Sequence, residues 1–281
     1  MLNYDICDKT VKYSQTDSFG VATKALIDFF DDVDFDVLDE SIEDYGNRGR
    51  DISKIDFILA NAYNLALAAK ENRAILCAGD GLYNSLSYSQ NFIFSDEVTT
   101  ARVNKKLELV KLELKSPVKI KHIVEVIYDD IGLQKLSSSI KYPFNNFNVA
   151  CYYGNDECGN FKNIQEKMVE ILKCVGANIV KIDSSNKPNG FGILDFDEDM
   201  AYKKASTIIL EAYDKNADML VTNSASAFFM IDQNVKKCEL ASGRDIKIPL
   251  LNISQIVSLA VGITNEIELG LTSHNIKPEF L

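Results

Sequence analysis

Few residues in this chain have side chains suited to redox, metal or nucleophilic chemistry. The cysteines are Cys7, Cys77, Cys151, Cys158, Cys174 and Cys238, and the histidines are His122 and His274. No C-x-x-C occurs. Cys151 and Cys158 enclose six residues, which is not zinc-site spacing. Cys174 lies inside a helical pattern and Cys238 at a helix end, so both read as packing residues. Cys7 and Cys77 each close a strand-like apolar run and could face a cleft at strand ends; a buried thiol is the plainer alternative. With two histidines and no G-x-S-x-G, a Ser-His-Asp hydrolase is unsupported. His122 opens a helix and reads as a cap or core hydrogen-bonding group rather than a catalyst.

Two other patterns have a chemical and a structural reading. In 28–44, DFFDDVDFDVLDESIED, Asp32, Asp34, Asp36, Glu40 and Glu43 fall on a calcium-loop spacing. The glycine that loop needs is replaced by Val37, and Val33, Phe35 and Val37 alternate with Asp as in a half-exposed strand. A solvated acidic face is the better reading. GDGLYN (79–84) and GFGILD (190–195) hold two of the three glycines of a dinucleotide fingerprint and lack the third. AGDG (78–81) and NSAS (223–226) follow strand-like runs, where helix N-termini meet anions in α/β sheets. Asn223 and Ser224 are equally ordinary helix caps.

The elements carrying these residues repeat. PVKIKHIVEVIYDDIG (117–132) matches KIPLLNISQIVSLAVG (247–262), with His122 against Asn252, Glu125 against Gln255 and Gly132 against Gly262. Each copy reads as a strand, a helix start and a glycine stop. NAYNLALAAKENRAILC (61–77) likewise resembles STIILEAYDKNADMLVT (206–222), and LNYDIC (2–7) resembles FNVACYY (147–153). Between such strands lie amphipathic helices; on 163–175, Ile164, Met168, Ile171, Leu172 and Val175 form one stripe before Gly176. The alternation predicts an α/β fold of two pseudo-repeated βαβ-type domains with mostly parallel sheets, related by internal duplication. The halves are 1–143 and 144–281, joined near Tyr142-Pro143.

Composition narrows the partners. The 281 residues are 46% hydrophobic and 25% charged, with 30 Lys and Arg against 41 Asp and Glu, a net charge of −11. Such a chain has room for two cores, and its acidity disfavours nucleic acid and anionic membranes. No run is long enough for a membrane span, the start MLNYDICDKT lacks a leader pattern, and six cysteines are too sparse for a disulfide scaffold. A cytoplasmic, reduced protein is expected.

The repeated blocks resemble the B subunit of heterodisulfide reductase and, more widely, proteins with two cysteine-rich CCG domains. The resemblance runs through LALAAKENRAILCAGDGLYNSL (65–86), VKIKHIVEVIYDDIGLQKL (118–136), VACYYGN (149–155), ADMLVTNSASAFFMID (217–232) and IPLLNISQIVSLAVGI (248–263). In that family each half carries an isolated Cys, a Cys-Cys-Gly and a C-x-x-C, about ten cysteines that hold non-cubane iron–sulfur clusters and reduce disulfides. Here the first Cys-Cys falls near Tyr45-Gly46. The first C-x-x-C keeps Cys77 and loses its partner near Asp80. Cys7 stands for the isolated Cys. In the second half Asn155, after Tyr153, replaces the isolated Cys, Pro188-Asn189-Gly190 replaces Cys-Cys-Gly, and the C-x-x-C falls on Ser224 and Ala227.

The resemblance therefore implies the fold and its cleft without the redox apparatus. The leading expectation is a cluster-free paralogue: a non-catalytic binding or assembly subunit of a redox complex, or a small-ligand binder in a cleft containing Cys7, Tyr45, Cys77, Asp80, Tyr153, Asn155, Asn189, Asn223 and Ser224. No cofactor and no metal are expected, with Cys7, Cys77, Cys151 and Cys158 the weak metal candidates. The acidic surface favours a basic partner. One alternative is an oxidoreductase component using the remaining cysteines as a dithiol or a non-standard cluster. Another is a new enzyme with a perturbed acid at Asp80, Asp156 or Glu157.

Overall fold

The computed structural model describes residues 2–6, 18–30, 33–37, 46–154 and 161–278. The first half runs β1 (Leu2–Ile6), α1 (Ser18–Phe29), β2 (Val33–Val37), α2 (Gly46–Ile52), α3 (Lys54–Lys70), β3 (Ala74–Cys77), α4 (Asp80–Ile93), α5 (Glu97–Leu107), β4 (Ile120–His122), α6 (Ile123–Glu125) and α7 (Leu133–Ser139). The second runs β5 (Asn148–Cys151), α8 (Phe161–Cys174), β6 (Asn178–Val180), α9 (Glu198–Asp214), β7 (Met219–Val221), α10 (Ala225–Phe228), α11 (Val235–Ser242), β8 (Leu250–Leu251) and α12 (Ile253–Val261). The sheets have the same order, β2-β1-β3-β4 and β6-β5-β7-β8, and every pairing is parallel. The expected α/β architecture is thus present in both halves.

The repeat is close enough to read in register. Ile75 pairs with Ile120 and Leu220 with Leu250, so the end of β3 corresponds to the end of β7 at a spacing of 145. The preceding helices correspond at 144. α3 and α9 both have 17 residues, are capped by Ser53 and Asp197, and are followed by left-handed Asn72 and Asn216. One extra residue in the second αβ turn absorbs the difference, so the single spacing of 145 expected across 61–77 holds for the strand and slips by one in the helix. Gly132 also departs from expectation. It has φ +82°, but helix resumes at once in α7 after the wider turns of Val126–Gly132. Gly262, φ +98°, does end α12.

The halves exchange helices. α1 of the first packs on α12 of the second, with Thr23 Oγ1 2.9 Å from Ser254 Oγ. α8 of the second packs on α6 and the turn after it, with Lys167 2.6 Å from Asp129 and Tyr128 donating to Glu170 at 2.5 Å. The expected linker is pinned: the N–H groups of Lys141 and Tyr142 both donate to the Ala260 carbonyl at the end of α12. Accordingly, the larger apolar cluster is shared, joining Ile75 and Leu76 to Val149, Ile171, Leu172 and Ile256. A second cluster around Ile208, Ile209, Leu220 and Phe228 belongs mainly to the second half. All five apolar residues expected on the α8 stripe are buried.

Candidate functional site

The segments that follow the carboxyl ends of β3 and β7 meet. Asp80, the first residue of α4, donates its N–H to the Asn223 carbonyl at 2.9 Å. Gly79 makes that approach possible, since a Cβ there would sit 3.0 Å from the same oxygen. Asn223 in turn accepts at Oδ1 from the Ile253 N–H at 3.2 Å, which ties β7 to the start of α12.

His122 stands beside Cys77 in the β3–β4 register and is fully buried. It caps α6: Nδ1 accepts from the Val124 N–H at 3.2 Å, and the Glu125 carboxylate accepts from the His122 N–H at 2.9 Å. An accepting Nδ1 puts the proton of the neutral ring on Nε2. Nε2 lies 3.1 Å from Asp80 Oδ1, close enough for strong electrostatic contact but not aligned as a hydrogen bond. Tyr83 packs edge-on against the ring at 5.5 Å. The first crest is therefore a buried set of ionisable groups.

At the equivalent places the second crest is neutral. Thr222 replaces Cys77, Ala225 replaces Asp80, Phe228 replaces Tyr83, Asn252 replaces His122 and Gln255 replaces Glu125. The cap survives: Asn252 Oδ1 accepts from the Gln255 N–H and Gln255 Oε1 from the Asn252 N–H, both at 2.9 Å. By this register Ser224 corresponds to Gly79, two residues beyond the Cys77 position on which the C-x-x-C resemblance placed it. Asn189 Nδ2 donates to Ser226 Oγ at 2.9 Å, and Ser226 Oγ lies 3.0 Å from Ser224 Oγ. Asn189 and Ser224 thus share Ser226 as a neighbour, with Asn223 next to Ser224 in the chain. Much of their hydrogen-bonding capacity is spent on Ser226 and on the backbone of Phe191, Ala227 and Ile253.

The described thiols of the second half are held protonated. Burial pushes Cys151 up to about 12, beside Tyr153, whose hydroxyl is also raised by burial. Burial likewise pushes Cys238 to about 12, and its thiol donates to the Met230 carbonyl at 3.1 Å. Cys174 is raised by burial and donates to Leu133 at 3.5 Å. Both Cys174 and Cys238 spend their thiol on a backbone carbonyl inside a helix packing face, the arrangement of packing residues. No group of three His, Cys, Asp or Glu arranged to hold a metal occurs among the described residues. Among the described residues of the second crest, Thr222, Ser224, Ala225, Ala227 and Asn189 offer no thiolate, the ligand an iron–sulfur cluster takes.

Cys7, Tyr45, Asn155, Asp156, Glu157 and Cys158 lie outside the described residues. Tyr153 is at the exit of β5, where its N–H donates to the Ser185 carbonyl at 2.8 Å. Sequence reasoning passed over Asp232. Burial pushes this acid to about 6, while it accepts from the Asn275 N–H at 3.0 Å and from Gln233 at 2.9 Å. His274 Nδ1, 3.9 Å away, belongs to a ring pushed down to about 4 by burial. Sequence reasoning also missed the His122–Asp80 contact. The two repeat spacings, 130 and 145, bring both residues to one crest when combined.

Fold and crest define a class: paired parallel α/β halves with interlocked helices and a polar meeting point at their strand ends. Residues 192–275 match the HdrB-like C-terminal domain. The chain is 24% identical over 223 residues to a protein of Archaeoglobus profundus described as like the heterodisulfide reductase B subunit, covering 75% of this chain and 74% of that one. It is 26% identical over 252 residues to the B subunit of the ferredoxin/F(420)H(2)-dependent CoB-CoM heterodisulfide reductase of Methanosarcina acetivorans (83% and 80% covered). It is 26% identical over 226 residues to the 8-methylmenaquinol:fumarate reductase membrane anchor subunit of Wolinella succinogenes (78% of each). A crystal structure of a hypothetical protein from Helicobacter pylori superposes with a TM-score of 0.84 at 21% identity. That match covers 99% of this chain but spans only 53% of the Helicobacter chain. The chain is thus similar to the B subunit of heterodisulfide reductase and its relatives, and the proteins it is similar to include subunits of redox complexes. Among the described residues no helix is long and apolar enough to cross a membrane.

Proposed function

We propose that this chain is a cluster-free, non-catalytic member of a redox complex that serves in binding or assembly, with 1–143 and 144–281 as its two halves. The observation that carries the reading is the second crest. Where the resemblance and the repeat register place thiolates, Asn189, Thr222 and Ala225 offer none, and Asn189 is hydrogen-bonded to Ser226, which lies 3.0 Å from Ser224. Such a crest keeps the scaffold rigid without storing electrons. Its partner is a protein with a basic face, suited to a chain of charge −11. A reduced, cytoplasmic setting agrees with Cys151, Cys174 and Cys238 standing outside any disulfide.

Iron and acid-labile sulfide are to be measured, with a visible spectrum, on protein purified without oxygen. Colourless protein lacking stoichiometric iron is expected. A brown protein with both elements would overturn the cluster-free reading.

A second reading has one observation in its favour: Cys77 adjoins the His122–Asp80 contact. In that reading the first crest is a thiol site of an oxidoreductase component. Native-state alkylation followed by mass mapping separates the two. Fast labelling of Cys77 supports the thiol site, and labelling only after unfolding supports the assembly role.

A further inference from the structure

α3 and α9 bury equivalent positions along their length, in the register of 144. Their chemistry differs inside that shared pattern. Asn61 and Asn64 of α3 stand where α9 has Ala205 and Ile208. The segment each helix packs against differs in the same sense, with Ser85 of α4 standing where the second half has Met230. All six residues are buried. The fold therefore accepts an apolar filling at these places, and the first half has a polar one.

That polar filling is incomplete. Phe57 of α3 meets Tyr88 of α4 with ring centres 6.2 Å apart, and one turn on, Asn61 gives its amide to the Phe57 carbonyl at 2.9 Å. Asn61 Oδ1 has no hydrogen-bond partner among the described residues, although the residue is 1% exposed. The buried hydroxyls of Ser85 and Ser89 also have none among them. Gly81, Ser85 and Ser89 succeed one another at intervals of four, which puts them in one row along α4. A Cβ on Gly81 would meet nothing within 4 Å, so open space adjoins the head of that row. Burying an amide oxygen or a hydroxyl without a partner is costly, and native interiors satisfy such groups with protein or with ordered water.

We propose that the α3–α4 interface of the first half is a binding site for ordered water, which hydrogen-bonds to Asn61 Oδ1, Ser85 Oγ and Ser89 Oγ. The donor set selects the ligand. Two hydroxyls can donate or accept, one amide oxygen can only accept, and none of the three carries a charge. They suit a small neutral molecule that both donates and accepts, and a buried water typically makes about three hydrogen bonds. The second half is dry at the equivalent place, where Ala205, Ile208 and Met230 present no polar side-chain group. α4 thus carries Asp80 of the ionisable crest at its start and the hydrated interface along its length.

A high-resolution crystal structure of the full chain, joined to urea unfolding of variants, tests the proposal. Density for water within hydrogen-bond distance of at least two of the three groups is expected. Ser85→Ala and Ser89→Ala each remove an anchor from that water and lower the urea midpoint; in a dry interface, deleting an unpaired hydroxyl raises it. Asn61→Ala combined with Ser85→Met copies the second half and removes the water density while the fold stays the same. Should that double variant fail to fold, the two alanine variants still decide the sign. Empty density in the unaltered chain, or a midpoint that falls in neither alanine variant, overturns the proposal. Density for a molecule larger than water also overturns it and gives the site to that molecule.

Discussion

The crest of the first half and the crest of the second occupy one place in one topology, and they differ in a single chemical respect. Cys77, Asp80, Tyr83, His122 and Glu125 can gain or lose protons; Thr222, Ala225, Phe228, Asn252 and Gln255 cannot. Both versions close the same capping box on the helix that follows the last strand, through His122 with Glu125 and through Asn252 with Gln255. The fold therefore requires the caps but not the charges. What the first half retains beyond the cap is a buried acid facing a buried imidazole, a costly arrangement that folding alone did not demand in the second half.

The largest effect comes from breaking that facing pair. Asp80→Ala copies Ala225 but leaves His122 buried with no acid opposite, and should lower stability by about 3 kcal/mol in urea unfolding. Adding His122→Asn makes the first crest resemble the second and should recover at least about 1 kcal/mol. A double variant no more stable than Asp80→Ala would mean that the two residues act independently.

The second half places its own buried titratable pair elsewhere, on Asp232 and His274; the equivalent of Asp232 in the first half is Ser87. Asp232, at about 6 against an ordinary 3.8, ionises in the unfolded chain first, so its contribution falls as pH rises from about 4 to 6. His274, at about 4 against 6.5, is protonated in the unfolded chain first, so its contribution falls as pH drops from about 6.5 to 4. The slopes oppose, and stability should be nearly flat across that window. Asp232→Asn should expose the histidine slope, a loss on the order of 2–3 kcal/mol on acidification from pH 7 to 4. Chemical denaturation at several pH values measures it, and a flat profile in the variant would contradict the assignment.

Two smaller effects probe the meeting point and the neutral crest. Gly79→Ala pushes a methyl against the Asn223 carbonyl and should cost about 1–2 kcal/mol, with faster hydrogen exchange at the Asp80 amide. Ser226→Ala cuts the link between Asn189 and Ser224 and should cost about 1 kcal/mol. A cost near zero would indicate that water substitutes at that site.

The alternation of strands and amphipathic helices, the caps at His122 and Asn252 and the stripe on α8 were legible in the chain, because each depends on local periodicity or on residues three apart. The one-residue slip between α3 and α9 was not legible. A turn can absorb a residue without disturbing either hydrophobic pattern, so only backbone register reveals it. The continuation of helix past Gly132 was hidden for a related reason: glycine permits both a stop and a bend.

For the candidate site, the sequence by itself determined which residue types remain, and hence that Asn189, Ser224 and Ala227 offer no thiolate. Only the tertiary structure decided what surrounds them. The 3.1 Å approach of His122 to Asp80, the junction of Asp80 with Asn223 and the displaced titration of Asp232 join residues 42, 143 and 43 positions apart. Contacts of that kind depend on how two sheets dock and how far water is excluded, and neither leaves a periodic trace in the chain.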